Sequence, residues 1–153
     1  MDEMSERRAD HGHEALPHTA DAGLRAWGPT LESTFEEAAV ALAELTAERT
    51  SREAIVTGIE ERIALEADDL VGLAFAWLNE LVGLIDLDGA LSRVGVTGIE
   101  SSARGWSLQA WAEFVSFDDR AIRRMADVKS ATYHGLAVDE TRGGWAMTAY
   151  LDI

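Results

Sequence analysis

From Leu16 onward the chain switches repeatedly between two hydrophobic periods. HTADAGLRAWG (His18 to Gly28) repeats every second residue, with Ala22, Leu24 and Ala26 on one face and Asp21 and Arg25 on the other, so it predicts a strand. Gly28-Pro29 breaks it. Leu31, Phe35, Ala38, Leu42 and Leu45 then recur at spacings of 4, 3, 4 and 3, the apolar stripe of a helix. Thr30 is placed to cap that helix, and Glu32 in its first turn complements the helix dipole. Period two returns from about Gly58 to Glu66, where Ile59, Ile63 and Leu65 oppose Glu60, Arg62 and Glu66.

A second helix is expected after Asp68-Asp69. Leu70, Leu73, Ala74, Trp77, Leu78, Leu81 and Ile85 give it a broad apolar face, and Asp88-Gly89 ends it. The remainder predicts four strands, at about Leu91 to Glu100, Trp106 to Val115, Lys129 to Val138 and Trp145 to Ile153. DETRGG (Asp139 to Gly144) is the turn of a hairpin, and Phe117 to Val128 is a charged loop with a short helical turn. Strand, helix, strand, helix and four strands in series make an α+β two-layer sandwich, in which both helices pack on a mainly antiparallel sheet. Residues 1–14 have no such pattern and are expected to be a flexible polar tail, leaving 15–153 as a single domain.

Charge narrows the functional classes. The chain of 153 residues has 28 Asp plus Glu against 13 Lys plus Arg, for a net charge of −15. A surface of that sign repels a phosphate backbone, so stable direct binding of nucleic acid is not expected. The absence of cysteine excludes thiol chemistry and cysteine-based zinc sites. No apolar run approaches the ~18 residues of a membrane span, and the N-terminus lacks the apolar core of a secretion signal. A cytoplasmic protein without a membrane partner is expected.

Three short segments carry candidate chemistry: His18-Thr19-Ala20-Asp21, Lys129 to Gly135 (KSATYHG) and Tyr150 to Ile153 (YLDI). Aspartate is disfavoured inside strands, so Asp21 and Asp152 need a reason. They are either exposed strand ends or oxygen ligands of a hard divalent cation, with a carboxylate or carbonyl oxygen of Ile153 beside Asp152. His134 is either a hydrogen-bonded structural residue or a ligand, base or recognition contact, and His18 is similar. His11 and His13 fall in the polar tail and are expected to be solvated. There is no glycine-rich phosphate loop, serine elbow or zinc signature.

HTADAGLRAWG, AFAWLNELVGLIDLDG (Ala74 to Gly89), KSATYHGL and the final LDI together resemble the archease family, over a match from about Leu16 to Ile153. The resemblance implies a compact α+β domain that is an accessory of the RtcB-type RNA ligase rather than an enzyme. That ligase joins RNA ends with GTP in tRNA splicing or RNA repair, and archeases promote guanylylation of its active-site histidine and multiple turnover. The resemblance also implies a divalent metal, calcium, magnesium or manganese, held by Asp21, Asp152 and Ile153. His18, Lys129 and His134 are implied as partner contacts or supports of that site. The aromatic residue that family members usually carry shortly before the HTAD motif is missing here, where the chain reads HEALP. Two other classes stay open: a small metal-dependent hydrolase using Asp21, His134 and Asp152, and a general chaperone-like interaction module.

Overall fold

The computed structural model describes residues 10–16, 22–50 and 58–153. Strand β1 (Gly12–Leu16) is followed by β2 (Ala22–Gly28), helix α1 (Leu31–Thr46), β3 (Ala47–Arg49) and β4 (Ile59–Ala67). Helix α2 (Leu70–Asp88), β5 (Ala90–Ser102), β6 (Gly105–Val115) and β7 (Ile122–Arg124) come next. The chain ends with β8 (Ser130–Ala131), β9 (Ala137–Thr141) and β10 (Gly144–Asp152). The fold is α+β, and every strand pair among the described residues is antiparallel.

Both helices begin as their sequences dictate. The Thr30 hydroxyl accepts from Ser33 N at 3.0 Å while Ser33 Oγ accepts from Thr30 N at 3.1 Å, a reciprocal cap that satisfies two N–H groups. Asp69 caps α2 by accepting from Gly72 N at 2.7 Å, and Gly89 receives its C-terminus. The apolar stripes of the two helices meet. Trp77 is fully buried, and its indole N–H donates to the Phe35 carbonyl at 2.9 Å, which ties α2 to α1. By length and composition alone α2 would suit a membrane, with 19 residues and a mean hydropathy of 1.7. Its buried face of Leu73, Ala74, Trp77, Leu78, Leu81, Val82 and Ile85 instead forms the centre of the core.

The one expected sheet is three. The chain ends build a five-stranded sheet in the order β1-β2-β10-β8, with β9 also on β10; β4-β6-β5 is a second sheet and β3-β7 a third. Both helices pack against both larger sheets, so one core serves them all. The stretch expected as a loop with a short helical turn does turn at 116–122, where Asp119 N donates to the Ser116 carbonyl at 3.0 Å and Ile122 N to the Asp119 carbonyl at 3.1 Å. It then adds the strand β7, because the chain leaving α1 runs directly into β3 and offers Ala47–Arg49 as its partner.

The first strand is described only from Ala22, and His18 to Asp21 lie outside the described residues. The expected tail also ends earlier than its polarity suggests. Gly12, His13 and Glu14 belong to β1, paired with Trp27, Ala26 and Arg25 of β2. His13 is half-buried against carboxylates of α1 rather than solvated. Alternation over five residues was too short to stand out among the charges around it.

Candidate metal centre at the chain end

The strand expected over Lys129 to Val138 is broken in two. Ala131 lies opposite Leu151 and Ser130 opposite Asp152, which is β8. The chain then turns at Tyr133 to Leu136, where Leu136 N donates to the Tyr133 carbonyl at 3.1 Å. Gly135 takes φ 72°, a left-handed conformation that costs glycine nothing, and any Cβ there would lie 2.8 Å from the Tyr150 ring. A continuous strand is therefore impossible at this glycine, and β9 starts afresh at Ala137.

That break sets where the candidate residues stand. Lys129 N donates to the Asp152 carbonyl at 2.8 Å, and Thr132 N donates to the Tyr150 carbonyl at 3.0 Å. The main-chain oxygen of Asp152 is thus occupied, while its side chain and Ile153 are exposed. His134 is at the exposed tip of the turn and makes no hydrogen bond with Asp152 among the described residues. The structure brings Lys129, Ser130 and Asp152 together and leaves His134 apart. Asp21 and His18 lie outside the described residues, but the chain neighbour of Asp21 is within them: Ala22 pairs with Leu151, the neighbour of Asp152. Among the described residues no three histidines or carboxylates stand close enough to hold a metal ion.

One residue that positions this edge is absent from the sequence reading. Asn79, on α2, donates to the Ala131 carbonyl at 3.2 Å and accepts from Ala131 N at 2.9 Å. Its amide meets both backbone groups of Ala131 as a neighbouring strand would, and so fixes β8 against the helix. The available signal was a lone amide beside the apolar face of α2. Phe75, one turn earlier on the same helix, stacks on Tyr133 with ring centroids 3.9 Å apart and planes 10° from parallel. Tyr133 is 59% exposed, so the rest of its ring faces solvent at the site's rim.

A cleft of about 770 Å³ lies elsewhere, lined by Val40, Glu44, Leu91, Arg93, Trp111 and Ile122 among others, and none of the candidate residues reaches it.

Residues 13–153 match the model of the archease protein family (MTH1598/TM1083). The chain belongs to the archease family. It is 30% identical over 145 residues to the protein archease of Pyrococcus abyssi, covering 92% of this chain and 97% of that one. It is 33% identical over 141 residues to the protein archease of Saccharolobus islandicus, covering 92% and 97%. The solution structure of Methanobacterium thermoautotrophicum protein 1598 superposes with a TM-score of 0.76 at 28% identity, covering 93% of this chain and 99% of that one. The archease match begins at residue 13, inside β1, in keeping with an ordered strand there.

Proposed function

We propose that this archease is a non-enzymatic accessory of an RtcB-type RNA ligase in tRNA splicing or RNA repair. It holds a divalent cation and promotes guanylylation of the ligase's active-site histidine over repeated turnovers. The observation that carries the site is the β2–β10 register. Ala22 is opposite Leu151, Asp21 precedes the one, and Asp152 follows the other. One peptide unit spans about 3.8 Å, so the covalent chain tethers both aspartates to the same end of the same strand pair.

The donors fit a hard cation. Asp21, Asp152 and a main-chain oxygen of Ile153 offer only oxygen, which suits calcium, magnesium or manganese. The Lys129 bond takes up the Asp152 carbonyl, which leaves the side-chain carboxylate as that residue's free ligand. When bound, the cation supplies charge neutralisation at phosphate oxygens during nucleotidyl transfer. The residues of this chain do the rest. Asp21, Asp152 and Ile153 hold the ion at an exposed edge, and β8 keeps Lys129 next to Asp152 for contact with the partner, while His18 and His134 are left as further candidate partner contacts. A net charge of −15 steers the protein toward a basic RNA-binding cleft and away from RNA itself and from anionic membranes, in the cytoplasm.

The hydrolase reading needs His134 working beside Asp152, and the absence of any hydrogen bond between them gives it less support. The test is single-turnover guanylylation of the ligase across a salt series. Wild type should accelerate it, less so as salt screens charges beyond about 8–10 Å. Asp152→Ala, at matched circular dichroism, should not accelerate it at all. Full stimulation by the variant would exclude the metal as the agent.

A further inference from the structure

β1 is fastened to α1 by charge. Among the described residues it is the outer strand of its sheet and pairs with β2 alone. His11 and His13 are two residues apart, the spacing that puts both on one face. Gly12 between them lies flat on the Trp27 indole, where any Cβ would come within 2.5 Å of the ring. His11 Nδ1 is 2.9 Å from Glu37 Oε2, and His13 Nδ1 is 2.7 Å from Glu37 Oε1. The other ring nitrogen of His13, Nε2, meets Glu44 Oε1. Glu37 and Glu44 are seven residues apart, two turns along one face of α1.

A neutral imidazole has a single N–H. With both carboxylates ionised, oxygens at both nitrogens of His13 therefore require the doubly protonated cation. The Nδ1 contacts of His11 and His13 are at hydrogen-bond distances, and no metal-ligand grouping exists among the described residues, so protons join the cluster. We propose that the His13 imidazolium is a proton-dependent clasp that fixes β1 on α1.

Among the described residues the groups that face His13 are few. From α1 they are Glu37 and Glu44, since Glu36 is turned to Val96 N of β5 at 3.2 Å. From β2 the residue opposite is Ala26, and its neighbours Arg25 and Trp27 project to the other face. On β1 itself they are His11 and, one residue on, Glu14, which is paired with Arg25. Burial opposes the His13 charge, but hydrogen bonds and attraction from Glu37 and Glu44 outweigh it and hold the pKa above the ordinary 6.5. A raised value in the fold means the stabilisation is complete below the unfolded pKa and is lost as pH rises through the folded one. β1 is thus clasped in mildly acidic solution and released in alkaline solution. Releasing β1 would free its five pairs with β2, from Gly12 with Trp27 to Leu16 with Gly23.

Amide hydrogen exchange on the full chain from about pH 6 to 8.5, corrected for the intrinsic pH dependence, tests the clasp. Protection of Gly12–Leu16 should fall as pH rises, about tenfold for each unit by which the pKa is raised. In α2 it should hold constant. His13→Gln and Glu44→Gln should show low protection in β1 at every pH. Unchanging protection in wild type, or His13→Gln behaving as wild type, would overturn the clasp.

Discussion

α2 and β6 keep their partners by burial, whereas the segment from Lys129 to Leu136 keeps its place by hydrogen bonds to its neighbours. Trp77, Leu78 and Leu108 are wholly removed from solvent. In β8 and its turn, only Ala131 and Leu136 are buried, while Lys129, Tyr133 and His134 are exposed. Burial is a non-directional force that tolerates small shifts. Hydrogen bonds fix direction, and here they come from β10 and from one amide on α2. The interior thus sets the fold, and a lightly packed edge presents the candidate residues without being needed for stability.

Substitutions on the two sides should separate these roles, beginning with the largest effect. Trp77→Ala removes a fully buried indole and leaves the Phe35 carbonyl without its donor. We expect a loss of about 3–5 kcal/mol in urea unfolding, with function lost only because the fold is. A loss under about 1 kcal/mol would mean that the two helices do not share one core.

Asn79→Ala lies at the boundary. It deprives Ala131 of both side-chain partners and should cost about 1–3 kcal/mol, the range for leaving a buried polar group unpaired. Exchange should quicken most at Ser130 and Ala131, and ligase stimulation should fall further than stability accounts for. Uniform loosening throughout the protein would erase the distinction between edge and interior.

A smaller effect is expected at the far end of α2. A shared proton with Asp88, then partial burial and the charges of Asp88 and Glu80, raise the Glu61 pKa above 4.5. A carboxyl raised in the fold is stabilising while protonated, and that contribution disappears as pH rises through the folded value. Asp88→Asn should therefore flatten the decline in melting temperature between about pH 4.5 and neutrality, and leave ligase stimulation unchanged. A steeper decline would reverse the sign of this pair.

The same contrast explains what was legible in the sequence. The stripes Leu31 to Leu45 and Leu70 to Ile85 are long and periodic, and Thr30 and Asp69 cap as such residues do. The edge is set by contacts that no local period records. Gly135 interrupts the strand because Tyr150 packs over it, and Asn79 acts 52 residues away in the chain. His13 was hidden for the same reason, since its partners are 24 and 31 residues on. The division into three sheets follows from long-range pairing, which alternation alone leaves open. Candidate ligands at Asp152 and Ile153 stand where they are free to act, while Asp21 is known here only through the register of its neighbour.

Asp152 is exposed at the end of β10, so its replacement by alanine should change stability by no more than about 0.5 kcal/mol. Calorimetric titration of wild type, Asp21→Ala and Asp152→Ala with calcium is the most direct test of the proposed centre. The expected result is binding by wild type and its loss in both variants, with all three equally folded. Undiminished binding in both would contradict a metal centre at the chain end.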